Sequence, residues 1–270
     1  AFTVRPMATD DPAQLGANDL VFVTVKMYDF QDASAAARTA LASDGVAVTV
    51  QNGLDAPGIL AESVRAERTI VGTIAIESTL SAPGTIAHTT PSHSLTIAEL
   101  SGPPGERLTH LESVLRAAQL TVKVAQSGRQ ALWDKACFLI PFATLTAAGE
   151  CTLGDIYGLP ALREVWNSLC DEAVAVAAAD GYDVRESLAA TLTRLEGLAQ
   201  TTPGFTSSMN RDVRAGRRSE LEWLTGTLVR LAAENAVAVP AHAALYGILR
   251  YRSSHASISA SVVSTDSRAT

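Results

Sequence analysis

Apolar, β-branched runs recur along the first 80 residues, and helical patterns separate them. Leu20 to Lys26 (LVFVTVK) and Val46 to Val50 (VAVTV) are almost uninterrupted, as expected for parallel strands buried on both faces. Asp32 to Leu41 predicts a helix between them, and Gly58 to Val64 predicts another before a third strand at Thr69 to Ile76. This alternation of strand and helix predicts the crossover units of a parallel sheet.

The pattern changes after Gly84. The segments TIAHTT and SLTIAEL alternate apolar and polar residues, which predicts antiparallel strands at the far edge of the sheet. Glu106 to Ala118 then predicts a helix, and Thr121 to Gln126 predicts one more short strand. The strand pattern stops after Gly128.

Helical spacing dominates the second half of the chain, from Ala131 to about Tyr251. The last segment is serine-rich and weakly apolar, which predicts a flexible tail. We therefore predict an α/β domain over residues 1–128, an all-α helical domain over 129–252 and a tail over 253–270.

Composition narrows the classes of function. A net charge of −7 argues against unspecific binding to nucleic acid, which needs a basic face. We find no apolar run of about 18 to 20 residues and no basic, apolar leader, so we expect a cytoplasmic protein. The cysteines Cys137, Cys151 and Cys170 lack metal-ligand spacing and are interpreted as reduced packing residues.

Polar side chains follow the predicted strands. Lys26 follows the first, Gln51-Asn52-Gly53 follows the second, and Glu77 and Ser78 follow the third. In parallel sheets, ligands bind beyond the carboxyl ends of the strands, so Lys26 and Asn52 are candidate ligand contacts. The alternatives are a solvated lysine and an ordinary Asn-Gly turn.

A single lysine, Lys135, lies in the apolar stretch from Ala131 to Ile156. Its stem could simply lie on apolar surface while its head reaches water. Alternatively, an apolar cleft would lower its pKa toward neutrality and suit it to give a proton to a carbonyl oxygen. The residues alone leave both interpretations open.

Two further features have ordinary explanations. Arginines recur around acidic residues in SSMNRDVRAGRRSELEWLTG, which is typical of a solvated face with intrahelical ion pairs. His88 falls in the alternating strand pattern and is interpreted as an edge residue rather than a ligand.

The glycine-rich turn of nucleotide-binding domains, G-x-G-x-x-G between a strand and a helix, is not found in this sequence. The opening AFTVRP resembles the approach to a middle strand, so we expect that crossover units are missing upstream. Two interpretations follow: a fragment of a longer protein, or a degenerate relative without activity.

Six segments in order resemble the ketopantoate reductase (2-dehydropantoate 2-reductase) family between Asn18 and Arg252. They are NDLVFVTVK, VQNGLDAP, PGTIAHT, WDKACFLIPFATLTA, SSMNRDVRAGRRSELEWLTG and AVAVPAHAALY. The resemblance implies NADPH-dependent reduction of a 2-oxo acid, ketopantoate to pantoate, in pantothenate biosynthesis. It also implies a truncated, partial doubly wound (Rossmann-type) parallel sheet domain. A helical substrate and dimerisation domain follows, similar to the C-terminal domain of 6-phosphogluconate dehydrogenase.

The resemblance assigns roles to the residues that face the substrate. Lys135 matches the family's proton-donating lysine, which also binds substrate. Asn52 matches the asparagine near nicotinamide and substrate, and Ser208 matches the serine that holds the substrate carboxylate.

Other residues match cofactor contacts of the family. Lys26 matches a cofactor-contacting lysine, and Glu220 matches an acidic residue that contacts the cofactor across the cleft. Ser78 falls near a backbone contact to the cofactor, and Asn52 is a cofactor contact as well. NADPH and a 2-oxo acid are thus the implied cofactor and substrate, with a homodimer as the implied assembly and no metal.

The chain departs from the family at three positions. Leu139, Ala143 and Leu153 stand where the family has substrate-binding asparagines. Losing these amides should weaken recognition of a hydroxyl-bearing substrate. Three hypotheses therefore remain: a ketopantoate reductase, a reductase for a more apolar 2-oxo acid, and a non-catalytic binding or dimerisation module.

Overall fold

The computed structural model of the protein describes residues 3–88 and 93–266, with side chains up to residue 255. The chain forms two compact units, one up to Leu132 and one from Trp133 onward. The first carries the sheet and the second is helical. The predicted boundary after residue 128 lies a few residues before the observed division.

The strands of the first unit divide between two sheets. Five form one sheet in the order β1-β2-β3-β6-β7, and the other two pair only with each other. Neighbours are parallel except β3 and β6, which are antiparallel. The strands are β1 (Asn18–Val23), β2 (Leu41–Thr49), β3 (Thr69–Ala75), β4 (Ser78–Ala82), β5 (Thr85–His88), β6 (Ser94–Glu99) and β7 (Val122–Val124).

Helices α1 (Phe30–Ala40), α2 (Ala56–Val64) and α3 (Glu106–Ala117) connect these strands. The apolar face of α3 packs on the sheet because its leucines recur at three- and four-residue spacing. The shared core contains Val48, Ile70, Leu95, Ile97, Leu108, Leu111, Leu115 and Val122. This packing confirms the predicted mixture of parallel strands and crossover helices.

The prediction of antiparallel strands at the far edge of the sheet is partly wrong. β6 does run antiparallel to β3, but it lies inside the sheet, because β7 pairs with its other side. β5 instead pairs with β4 in the separate two-stranded sheet. The last two residues of TIAHTT, Thr89 and Thr90, lie outside the described residues.

The second unit is built from consecutive helices, as predicted. They are α4 (Gly128–Gly149), which begins in the first unit, α5 (Leu153–Gly158), α6 (Pro160–Ala179), α7 (Arg185–Thr201), α8 (Ser208–Arg214), α9 (Thr225–Glu234) and α10 (Pro240–Asp266). The predicted tail from Ser253 differs from the structure, since α10 continues to Asp266. Serine lowers helix propensity only modestly, so a helix already formed can propagate through it. Residues 267–270 lie outside the described part.

By length and composition α4 is long and apolar enough to cross a membrane, although its residues do not form one uninterrupted apolar run. However, 67% of its apolar window is buried inside the protein. A helix that is apolar on all sides and covered by other helices is a core helix. Its apolar character is therefore explained by packing.

Candidate active site

In the first unit, two candidate residues follow neighbouring parallel strands. Val23 at the end of β1 is in register with Thr49 at the end of β2. Lys26 and Asn52 each follow three residues later, so both come just beyond the same edge of the sheet. Both side chains are half-buried.

Gln51 fixes this edge, a role that sequence reasoning missed. Its Nε2 donates to the carbonyl oxygens of Val23 at 2.7 Å and Val25 at 2.9 Å, while its Oε1 accepts from the Val50 N–H at 3.0 Å. One buried amide therefore ties the segment after β2 to the segment after β1. An amide with both an acceptor and a donor at a strand end is the only signal of this role in the sequence.

Ser78 and His88 lie elsewhere. Ser78 opens β4 and pairs with His88 of β5 in the two-stranded sheet, and both side chains are exposed. The interpretation of His88 as a strand residue is confirmed. Ser78 follows β3 by three residues, but no described hydrogen bond connects it to Lys26 or Asn52.

In the second unit, α4 places Lys135 in an environment that favours loss of its proton. Burial lowers the lysine pKa from 10.5 to about 8, and the negative charge of Glu220 opposes part of that effect. Glu220 is itself only 6% exposed and precedes a 3₁₀ turn at Leu221–Trp223. The structure thus brings these two residues, 85 positions apart, within electrostatic range.

Two buried hydroxyl pairs hold α4 against its neighbours. Thr144 contacts Thr225, the first residue of α9, at 2.7 Å, and Thr146 contacts Ser207 at 2.7 Å. Both threonines also donate to carbonyls one turn back in α4, as buried hydroxyls in helices commonly do. The helix that carries Lys135 is thereby fixed to the starts of α8 and α9.

Pro141 interrupts the hydrogen-bond ladder of α4. Because proline has no N–H, it cannot donate to the Cys137 carbonyl one turn earlier. The irregularity lies six residues after Lys135. The hydroxyl pairs of Thr144 and Thr146, which follow Pro141, therefore help to fix the orientation of the second half of α4.

Ser208 is placed by a capped helix start. The Ser207 hydroxyl accepts from the Asn210 N–H at 3.0 Å, which caps α8. Ser208 follows as the first helical residue and is half-buried. One short segment therefore carries both Ser208 and the contact to α4.

The three positions that depart from the family pattern differ in accessibility. Leu139 lies one turn after Lys135 on the same helix face and is half-buried. Ala143, another turn along, is 1% exposed, and Leu153 is completely buried at the start of α5. Of these three positions, only Leu139 offers appreciable accessible apolar surface.

The remaining candidates have structural roles. Cys137, Cys151 and Cys170 are free and buried, which confirms their interpretation as packing residues. Burial raises the pKa of the Cys137 thiol to about 12. Within the part of the chain that the structure describes, we find no group of three or more His, Cys, Asp or Glu side chains that could hold a metal ion.

Comparison with known proteins agrees with this arrangement. The family model "Ketopantoate reductase PanE/ApbA" matches residues 1–102, and its C-terminal counterpart matches residues 128–253. The 2-dehydropantoate 2-reductase of Halobacterium salinarum is 32% identical over 247 residues, which cover 91% of this chain and 80% of that protein. The chain belongs to the ketopantoate reductase family.

Solved structures with a similar fold include a ketopantoate reductase and a dehydrogenase that acts on another acid. The PanE/ApbA family ketopantoate reductase from Ralstonia eutropha JMP134 superposes with a TM-score of 0.82 at 25% identity, covering 92% of this chain and 80% of that one. A D-mandelate dehydrogenase, solved with NADH and anilino(oxo)acetate, gives a TM-score of 0.80 at 18% identity, covering 89% and 79%. The second likeness shows the fold alone. Both agree with a Rossmann-type domain followed by a helical domain.

Members of the family are oxidoreductases that use a nicotinamide cofactor. The sequence resemblance to ketopantoate reductases is thereby confirmed. The individual site residues and the domain roles stay predictions.

Proposed function

We propose that this protein is a 2-dehydropantoate 2-reductase-like enzyme that reduces a 2-oxo acid with NADPH, and that Lys135 is its proton donor. The observation that carries the proposal is the lowered pKa of Lys135, about 8, beside buried Glu220. An amine with this pKa is mostly protonated at neutral pH and can still release its proton readily. Family membership supplies the reaction class.

A bound reduced nicotinamide would supply the hydride that the keto carbon of the substrate accepts. The Lys135 ammonium stabilises the negative charge that develops on the keto oxygen and then gives that oxygen its proton. Ser208, at the first turn of α8, holds the substrate carboxylate. Asn52 contacts both nicotinamide and substrate.

The described residues fit one half of the cofactor better than the other. In the first unit, Lys26 and Asn52 offer a cation and an amide that could hold the nicotinamide and its ribose. The turn between β1 and α1 contains no glycine, and the turn between β2 and α2 contains only Gly53. Neither forms the glycine-rich cradle that a pyrophosphate needs, so we assign no residue here to the pyrophosphate.

A cofactor titration followed by a turnover assay tests the proposal. NADPH fluorescence should change on binding, and ketopantoate should then cause oxidation of NADPH that Lys135→Met abolishes. Lys123→Met is the matched control, because Lys123 is exposed on β7. Absence of NADPH binding to the folded chain would favour a non-catalytic binding or dimerisation module instead. Binding without turnover of any 2-oxo acid would contradict the reductase.

The accessible apolar surface at Leu139 favours a more apolar 2-oxo acid as an alternative substrate. A leucine next to the proton donor gives no hydrogen bond to a substrate hydroxyl, and burying that hydroxyl without a partner is costly. We expect 2-oxoisovalerate to compete well with ketopantoate, and Leu139→Asn to shift kcat/KM toward ketopantoate. A preference of the unaltered protein for ketopantoate by orders of magnitude would contradict this refinement.

We further propose that the enzyme acts in the cytoplasm as a homodimer. Sedimentation velocity at two protein concentrations tests the assembly directly. A monomer at tens of micromolar would contradict it.

A further inference from the structure

A second region of the helical unit has the chemistry of a ligand site. A cavity of about 690 Å³ opens beside the 3₁₀ turn at Leu221–Trp223. This volume lies in the range of small-molecule sites, about 300–1,000 Å³. Four arginines and several serine hydroxyls line it, among them Arg217, Arg218, Ser219, Arg250, Arg252 and Ser254.

The cavity is positive in a protein that is negative overall. Its lining contains four arginines and a single acid, Glu222, for a charge of +3 in a chain of net charge −7. Two carboxylates outside the lining, Asp212 and Glu150, pair with Arg217 and Arg252. Arg214 shares Glu150 at 3.9 Å, so these two carboxylates pair with three guanidiniums around the cavity.

The ion pairs position the arginines without using all of their donors. Arg217 contacts one oxygen of Asp212 through Nε at 3.0 Å and Nη2 at 2.8 Å, which leaves Nη1 for another acceptor. Arg252 donates through Nη1 to the carbonyls of Ala147 at 3.1 Å and Ala148 at 3.2 Å and is 30% exposed. Guanidiniums held in this way need little ordering when an anion binds.

Arg250 is only loosely paired and lies 5.7 Å from the Tyr246 ring centroid. Its Nε lies 3.5 Å from Glu222 Oε1, longer than the charge-assisted hydrogen bonds of about 2.7–2.9 Å. The other oxygen of that carboxylate accepts from the Tyr246 hydroxyl. The Arg250 side chain is 64% exposed and stands at the cavity.

We propose that this cavity binds a small phosphorylated anion at a site separate from Lys135. Guanidinium forks match the paired oxygens of a phosphate, and the serine hydroxyls can donate to the same group. The volume exceeds what a single phosphate fills, so the ligand carries more than one phosphate or an organic group. This inference does not rest on the proposed reductase activity.

The lining of the cavity does not include Lys135, Ser208 or Glu220. Ser219 and Leu221 line the cavity, whereas Glu220 between them is buried and acts electrostatically on Lys135. A single segment therefore contributes alternate residues to the two sites. Probes of the cavity can be designed without altering Lys135, Ser208 or Glu220.

Calorimetric titration with inorganic pyrophosphate at fixed ionic strength tests the proposal. We expect one binding site per chain, with an affinity for pyrophosphate that falls as the salt concentration is raised. Arg250→Gln and Arg217→Gln should each bind pyrophosphate at least tenfold more weakly. Arg250→Lys keeps the charge but loses the fork, so its binding should be intermediate. Arg185→Gln is the control, because Arg185 is exposed on α7 and pairs with Asp183 away from the cavity.

Citrate provides a second arm of the same experiment. Binding of pyrophosphate in preference to citrate supports a phosphate site, whereas tighter binding of citrate overturns the proposed ligand class. If the unaltered protein and both cavity variants bind pyrophosphate equally well, the proposed site is wrong. It is also wrong if Arg185→Gln loses as much affinity as the cavity variants. Circular dichroism of each variant establishes that it is folded before the comparison is made.

Discussion

The lowered pKa of Lys135 leads to a prediction about stability that needs no substrate or cofactor. A fall from 10.5 to about 8 corresponds to about 3 kcal/mol at 1.36 kcal/mol per pKa unit. Because the folded pKa lies below the unfolded one, the folded protein binds fewer protons between pH 8 and 10.5. This group therefore makes the free energy of unfolding rise with pH in that window, and its full cost is present below pH 8.

The perturbation is Lys135→Met, which keeps the apolar stem and removes the ammonium. Between pH 7 and 9.5 the ionisation of Lys135 should contribute about 2 kcal/mol to the pH dependence of the free energy of unfolding. Lys135→Met should lack that contribution, while Lys123→Met should keep it. Urea unfolding of the three proteins at both pH values gives the comparison.

Competitive labelling of lysine amines checks the pKa directly. The chain contains three lysines, Lys26, Lys123 and Lys135, so labelled peptides are easily resolved by mass spectrometry. Lys135 should reach half-maximal intrinsic reactivity near pH 8. Half-maximal reactivity of Lys135 near its ordinary pKa of 10.5, combined with the same pH dependence of unfolding in all three proteins, would refute the reasoning.

Three further outcomes are expected. Glu220→Gln should lower the labelling pKa of Lys135 further, because the nearby negative charge raises it, and an unchanged value would contradict their electrostatic contact. Gln51→Leu should lower the free energy of unfolding in urea by about 1–3 kcal/mol, because it removes the buried hydrogen bond to the Val23 carbonyl and the partly buried one to Val25. An unchanged free energy of unfolding would contradict the role of Gln51 in joining the two strand ends. Gly72→Ala should also lower the free energy of unfolding, because an added Cβ would lie 2.3 Å from the backbone oxygen of Thr49. Gly58→Ala is the control, because a Cβ there meets no atom within 4 Å. Equal stability of the two variants would contradict the clash.

The sequence predicted the parallel part of the sheet because burial on both faces leaves a strong mark. The uninterrupted runs at β1 and β2, and the helix between them, are found where the pattern indicated. β2 nevertheless begins at Leu41, five residues before the predicted run. Its pairing with β1 shifts between Asn18 and Leu20, so the first residues of β2 belong to an irregular part of the ladder.

Strand order was harder to predict. Alternation of apolar and polar residues indicates which face of a strand is buried, but it does not indicate which strands pair with it. β6 reads as a strand with one solvated face, yet β3 and β7 pair with its two sides. The hairpin of β4 and β5 gave no strong apolar signal, since most of its side chains are exposed. Long-range pairing therefore decided features that local pattern could not.

In the candidate site, too, local features could be predicted from the sequence and long-range contacts could not. The apolar neighbours of Lys135 along the chain were enough to suggest desolvation, and burial is the main cause of its lowered pKa. The approach of Glu220 could not be read from spacing and was expected only from the family resemblance. Gln51 was overlooked because hydrogen bonds from a side chain to distant carbonyls leave no periodic pattern.

The buried hydroxyl pairs of α4 combine hydrogen bonds within the helix and hydrogen bonds to distant segments. Thr144 and Thr146 would be ordinary residues in an exposed helix, but here each satisfies its hydroxyl both within α4 and across to another segment. Such pairs specify one packing arrangement, because any shift of α4 leaves buried hydroxyls without partners. The segment joined by Thr146 also carries Ser208. The position of Lys135, the proposed proton donor, relative to Ser208, the proposed carboxylate-binding serine, therefore depends on the hydroxyl pair of Thr146 and Ser207.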